Sequence, residues 1–239
     1  MRALPTARAG QGAAHRLIGL GLCLAIPTLV LAWTISPAGM PASLAVLALG
    51  LGLAVPGLAR GHRHERLGGA NAVTTLRLAL VAAIAASAFV PAPQTGWAGW
   101  APTALAALAL SLDAVDGWLA RRQGLSSAFG ARYDMEVDSA LAAILAMVLL
   151  LRGVAGAELL VLGGARYAFV AAAWRWPWLG QPLPESLRRK TVCVVQIAAL
   201  LALAAPVFPA GLAGLVAPVA ALLVAWSFGV DIRWLARRA

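Results

Sequence analysis

Acidic residues are scarce in this chain: nine Asp and Glu among 239 residues, with all charged residues together at 12%. A soluble globular domain carries about 25%, so that class is excluded. Tyr (two) and Phe (five) are also few, and the two cysteines, Cys23 and Cys193, each fall in an apolar segment. Two isolated thiols make neither a disulfide framework nor a metal motif, and they leave the redox compartment unread. Neither a soluble domain nor an internal repeat stands out.

Apolar runs are what remain. The chain is 62% hydrophobic with a mean hydropathy of +0.84. Runs at 17–35, 43–59, 71–90, 101–122, 130–151 and 157–174, a seventh after Lys190, and 211–230 are of membrane-crossing length. The fold class expected is all-α, a polytopic transmembrane helical bundle of about eight spans. Nine Trp are present, and Trp33, Trp97, Trp100, Trp174, Trp176, Trp178 and Trp234 lie near run ends, where an interfacial belt places them. The run at 17–35 exceeds the roughly 7–15-residue core of a signal peptide, so it reads as a retained first helix. In the basic segment 60–66, His62 and His64 fall on different helical faces. That favours a juxtamembrane stretch lying on anionic lipid over a metal site.

The net charge of +10 raises nucleic acid as a partner, but in a membrane protein it reflects cytoplasmic loops and anionic headgroups, and no nucleic-acid partner is expected. With a cytoplasmic N-terminus, sixteen of nineteen Lys and Arg fall on the cytoplasmic side. Arg77 and Arg166 lie within spans, which leaves Arg152 alone outside.

Five of the nine acids (Asp113, Asp116, Asp134, Glu136, Asp138) fall within 26 positions, between two apolar runs. Acids at the ends of membrane helices are expensive and mark function. On a helix through 101–122, Asp113, Asp116, Gly117, Ala120 and Arg121 share one face. On the next helix Gly130, Asp134 and Asp138 share another, with Glu136 ~200° round from Asp134. Two facing stripes thus gather four carboxylates, which need cations to stay ionised together. Oxygen-only ligands favour Mg²⁺ or Mn²⁺. Gly117 and Ala120 leave the helix surface bare for a ligand. Two such ions, an arginine and a groove suit a pyrophosphate and in-line phosphoryl transfer.

The pattern D-x2-D-G-x2-A-R-x8-G-x3-D-x3-D, from Asp113 to Asp138, resembles the signature of the CDP-alcohol phosphotransferases at all eight fixed positions. The resemblance extends from about Asn71 to the C-terminus. It implies a six-helix core within 67–239, preceded by an extension, 1–66, whose two spans have no assigned role. It implies that Asp113, Asp116 and Asp134 hold two divalent ions, with Asp138 close enough to share one and acting as general base on the acceptor hydroxyl. Gly117, Ala120, Arg121 and Gly130 would then take the CDP moiety. Asn71, a good N-cap by residue type, Thr74 and Arg77 match an N-x-x-T-x-x-R segment of many members and would help line the nucleotide site. Arg166 sits in mid-span and needs a partner. By resemblance it holds the acceptor, as do Arg188, Arg189 and Lys190 of the basic run.

The expected reaction is transfer of a phosphoalcohol, with CDP-diacylglycerol favoured as donor, to a small polar acceptor with release of CMP. The basic residues favour a phosphorylated acceptor over serine or free inositol. The expected setting is a bacterial-type plasma membrane with the site facing the cytoplasm, and the resemblance implies a homodimer. An aspartate-rich, Mg²⁺-dependent prenyltransferase and a non-enzymatic transporter using carboxylate relays are the rival readings. Neither requires the glycine, alanine and arginine in register with the acids.

Overall fold

The computed structural model describes the backbone of residues 5–61, 67–90, 95–123 and 127–238, and the side chains there except at 5–9, 59–61, 117, 118, 120, 121 and 123. Among the described residues there are eight α-helices and no strand. They are α1 (Pro5–Ile35), α2 (Met40–Gly61), α3 (Gly69–Ile84), α4 (Trp97–Gln123), α5 (Ala128–Leu151), α6 (Glu158–Arg175), α7 (Leu187–Ala204) and α8 (Ala210–Ala236). Each corresponds to one expected span. The basic segment with His62 and His64 lies outside the described residues.

Five helices (α1 to α4 and α8) are long and apolar enough to cross a membrane by length and composition. The other three carry several charged residues each. Asp134, Glu136 and Asp138 lie on α5, Glu158, Arg166 and Arg175 on α6, and Arg188, Arg189 and Lys190 on α7. Length does not separate them: 18 residues rise ~27 Å, close to the ~30 Å of a hydrocarbon core. The chain is an integral membrane protein of helical type.

α3 is the central helix. Within its apolar window 72% of residues are buried, against 22–33% in the other four. It packs against α1, α2, α4 and α5. A second group, α6, α7 and α8, joins the first mainly through α5, which contacts α6 and α7, with α4 also touching α7. Close approach of α6 to α5 depends on Gly163, where an added Cβ would lie 3.0 Å from the Ala143 Cα and 2.7 Å from the Ala146 Cβ. Of the tryptophans expected at the interface, Trp33, Trp97, Trp100, Trp174 and Trp176 are exposed, while Trp178 and Trp234 are half-buried.

One local expectation needs correction. Asn71 is not an N-cap: Gly68, at φ +80°, holds that position, and Asn71 lies inside the first turn of α3. There its side-chain nitrogen donates back to the Leu67 carbonyl at 2.6 Å. A glycine satisfies the positive φ that opens this helix, which asparagine at 71 does not need to supply.

Candidate active site

Three carboxylates converge between α4 and α5, two helices that both pack on α3. One oxygen each from Asp113, Asp116 and Asp134 lies within 4.8 Å of the other two. The i, i+3 spacing on α4 brings the first pair to one face, and α5 supplies the third from its first turns. Hard oxygen donors so close together suit a divalent cation, and the cluster fits the metal that the signature implies.

The guanidinium of Arg77 projects from the middle of α3 into this cluster, with its side chain fully buried. Its Nη1 stands 2.9 Å from Asp113 Oδ1 and 2.9 Å from Asp116 Oδ2. It also pairs with Asp134, and Nη2 pairs with Asp138. Nε donates to the Ala109 carbonyl at 3.0 Å, which ties α3 to α4. Thr74, one turn before Arg77, donates to Asp116 Oδ2 at 3.1 Å. The positive charge expected at the edge, on Arg121, is therefore joined by one at the centre. One guanidinium against four carboxylates leaves a formal charge of −3, so room for cationic ligands remains.

Gly130 supports the same junction. Its amide donates to the Ser127 side chain, the N-cap of α5, at 3.0 Å. A Cβ at this position would sit 3.1 Å from Asn71 Oδ1. Glycine thus lets the start of α5 approach α3. One turn on, the Tyr133 hydroxyl reaches Thr75 at 3.3 Å. Gly117, Ala120 and Arg121 lie on the last turns of α4, but their side chains fall outside the described residues.

Beyond Asp138 the cluster opens into a cavity of about 470 Å³ between α5, α6, α7 and α8. Its wall is largely apolar, from Leu162, Phe169, Ile197 and Phe228 among others, with Asp138, Arg166, Arg189 and Asp231 as its charged members. Arg166 has the partner its mid-span position demanded: it pairs with Glu136, which the helical period had turned away from the other acids of α5. The Arg166 Nε is buried with no hydrogen-bond partner.

The basic run is divided. Arg189 lines the cavity. Arg188 turns into α8, donating to the Ser227 carbonyl at 2.6 Å and to Asp231. Lys190 faces Glu185 at 3.5 Å on the exposed side and does not line the cavity. The sequence reading missed Ser227 and Asp231. The signal available was Asp231, an acid left over at the end of an apolar run with adjacent arginines one helix earlier.

A helical membrane bundle with a carboxylate cluster opening onto a largely apolar cavity suits chemistry on phosphates at a membrane. Residues 68–230 match the family model for CDP-alcohol phosphatidyltransferase, and the chain belongs to this family of transferases. At the family level the reaction is transfer of a phosphoalcohol group from a CDP-alcohol. The match begins with α3, so α1 and α2 precede it, and it stops one residue short of Asp231. No solved structure matches the chain.

Proposed function

We propose that the protein transfers a phosphatidyl group from CDP-diacylglycerol to the hydroxyl of a small polar alcohol, releasing CMP. The observation that carries this is the position of Asp138, which belongs both to the acidic cluster around Arg77 and to the wall of the cavity. A donor pyrophosphate at the cluster and an acceptor in the cavity would meet at this side chain.

Asp113, Asp116 and Asp134 would hold Mg²⁺ or Mn²⁺, two ions with Asp138 sharing one, and metal bound there supplies charge neutralisation to the pyrophosphate. Asp138 takes the proton of the acceptor hydroxyl, whose oxygen forms a new bond to the phosphorus bearing the alcohol. The bond from that phosphorus to the CMP oxygen breaks, and CMP leaves. Arg77 holds the four carboxylates in one geometry, so placement does not have to be created when substrate arrives. Gly117, Ala120 and Arg121, with Asn71 and Thr74, would take the nucleotide. Arg166 and Arg189 would contact the acceptor directly, with Arg188 and Lys190 adding only longer-range positive charge.

The charge distribution along the sequence supports a site on the cytoplasmic face of a bacterial-type plasma membrane. The division into an extension at 1–66 and a core at 67–239, and pairing of two copies, follow from family resemblance. The seven-residue gap from Gly130 to Asp138 and the glycine–alanine–arginine register favour this reading over prenyl transfer and over transport.

CMP release by purified protein in detergent, with Mg²⁺, CDP-diacylglycerol and each acceptor in turn, tests the proposal. Asp138→Asn should reduce release by roughly 10²–10⁴-fold while CDP-diacylglycerol still binds. If folded wild-type protein neither binds the donor nor releases CMP, the transfer reading is wrong.

A further inference from the structure

Asp231 lies one residue past the matched family segment, and the signature assigns it nothing. Its side chain is only 10% exposed and pairs with two guanidiniums at once. These two arginines are held differently. Arg188 donates to the Ser227 carbonyl and hydroxyl as well as to Asp231, and its guanidinium lies 5.7 Å from the Trp226 ring. Three residues of α8 therefore grip it. Arg189 donates to Asp231 at 3.2 Å and to the Pro184 carbonyl, and it lines the cavity. One carboxylate shared by two guanidiniums leaves a single formal positive charge, and Arg189 presents it at the wall.

Arg166 stands on the same cavity with its Nε buried and unpartnered. A buried N–H without an acceptor is costly, so Glu136 alone does not satisfy this guanidinium.

We infer that Asp231 is a positioning residue for the acceptor: it fixes Arg189 at the cavity wall, where Arg189 and Arg166 together grip a phosphate monoester on the acceptor alcohol. The inference rests on the proposed reading of this cavity as the acceptor site. Net charge and placement make opposite predictions here. Deleting a negative charge beside two arginines strengthens anion binding if net charge alone decides. Freeing both guanidiniums from their shared anchor weakens it if pre-organisation decides, and pre-organisation is the claim.

Cys193 lines the same cavity and is exposed, so its thiol reports occupancy. With Cys23→Ser removing the other thiol, N-ethylmaleimide should label Cys193, and inorganic phosphate or glycerol 3-phosphate should protect it. Asp231→Asn should raise the protecting concentration about tenfold or more, the scale of a charge-assisted hydrogen bond. Asp231→Glu should restore most of the protection. In turnover, KM for glycerol 3-phosphate should rise while kcat and the donor KM stay within about twofold, since neither depends on an acceptor anchor.

Equal or tighter protection in Asp231→Asn overturns the inference, and so does failure of either phosphate to protect the Cys23→Ser protein. A parallel fall in every kinetic parameter with a lowered unfolding temperature would make Asp231 merely structural, and that also overturns it. Protection that follows the expected order without CMP release would leave the inference standing and count against the transfer reading instead.

Discussion

Two charge clusters in this molecule are built with opposite stoichiometry. At the α3–α4–α5 junction one buried guanidinium serves four carboxylates. At the α7–α8 junction one buried carboxylate serves two guanidiniums. In each case the minority charge is buried on one helix and the majority charges come from neighbours that are more open to solvent. The minority charge is therefore the anchor, and the surplus it leaves determines what the cluster attracts: cations at the first, anions at the second. The cavity touches both clusters, the first through Asp138 and the second through Arg189 and Asp231. A reaction joining a metal-bound pyrophosphate to an anionic alcohol needs both signs close together without letting them cancel.

Removing the anchor of the acidic cluster is the most severe way to break this comparison. Arg77→Met should abolish turnover and lower stability. Losing one partner of a buried pair costs ~3–5 kcal/mol, but Asp113, Asp134 and Asp138 are 44%, 38% and 39% exposed. Screening at those groups reduces the expected loss to about 2 kcal/mol. Mg²⁺ should restore more of the unfolding temperature in Arg77→Met than it adds to wild type, because it neutralises carboxylates the arginine no longer serves. Equal Mg²⁺ shifts in both proteins would mean that metal and guanidinium do not act on the same charges.

The pair between the clusters sharpens the comparison. Arg166→Gln should raise the acceptor KM by about tenfold, the scale of one lost charge-assisted hydrogen bond. Glu136→Gln should change stability by less than ~0.5 kcal/mol, as expected of a half-exposed ion pair, and should leave Arg166 free to bind the acceptor at least as well. Steady-state kinetics on the two variants would separate them. A KM increase of the same size in both would show that the pair acts as a structural strut.

Lys190→Ala should do least. Its partner Glu185 is exposed and 3.5 Å away, so KM and kcat should stay within about twofold. A larger effect would extend the anion site further out along α7 than the cavity wall indicates.

The helices were legible in the sequence because the hydrocarbon core demands long apolar runs, and each run became a helix, although α1 starts at Pro5, well ahead of its run at 17–35. Convergence of Asp113, Asp116 and Asp134 was legible in part: the helical period fixes which side chains share a face, but the two faces are brought together by α3, on which α4 and α5 both pack. Glu136 followed from the same period, since turning away from the cluster brought it to Arg166. The central place of Arg77 was less visible. An arginine in a buried helix lacking any acid of its own had to find carboxylates elsewhere, but periodicity within one helix does not say which neighbour it faces. The Asp231 clasp was invisible for that reason as well, as it depends on how α7 packs against α8, and the apolar pattern of α8 runs round the whole helix. Asn71 misled because residue type suggests a cap, whereas backbone geometry gave that position to Gly68.

The order of the partners along the chain bears on assembly. Arg77 precedes Asp116, Asp134 and Asp138 by 39, 57 and 61 residues. α3 therefore enters the membrane ahead of the helices that carry every carboxylate it will serve. An arginine at a helix centre costs ~2.5–3.5 kcal/mol to insert, and α3 carries that penalty until the next two helices arrive. α1 and α2, which in the finished fold pack directly on α3, are complete by then and offer it an apolar surface to wait against. The two helices outside the family match are thus the ones that α3 can pack against before α4 and α5 enter.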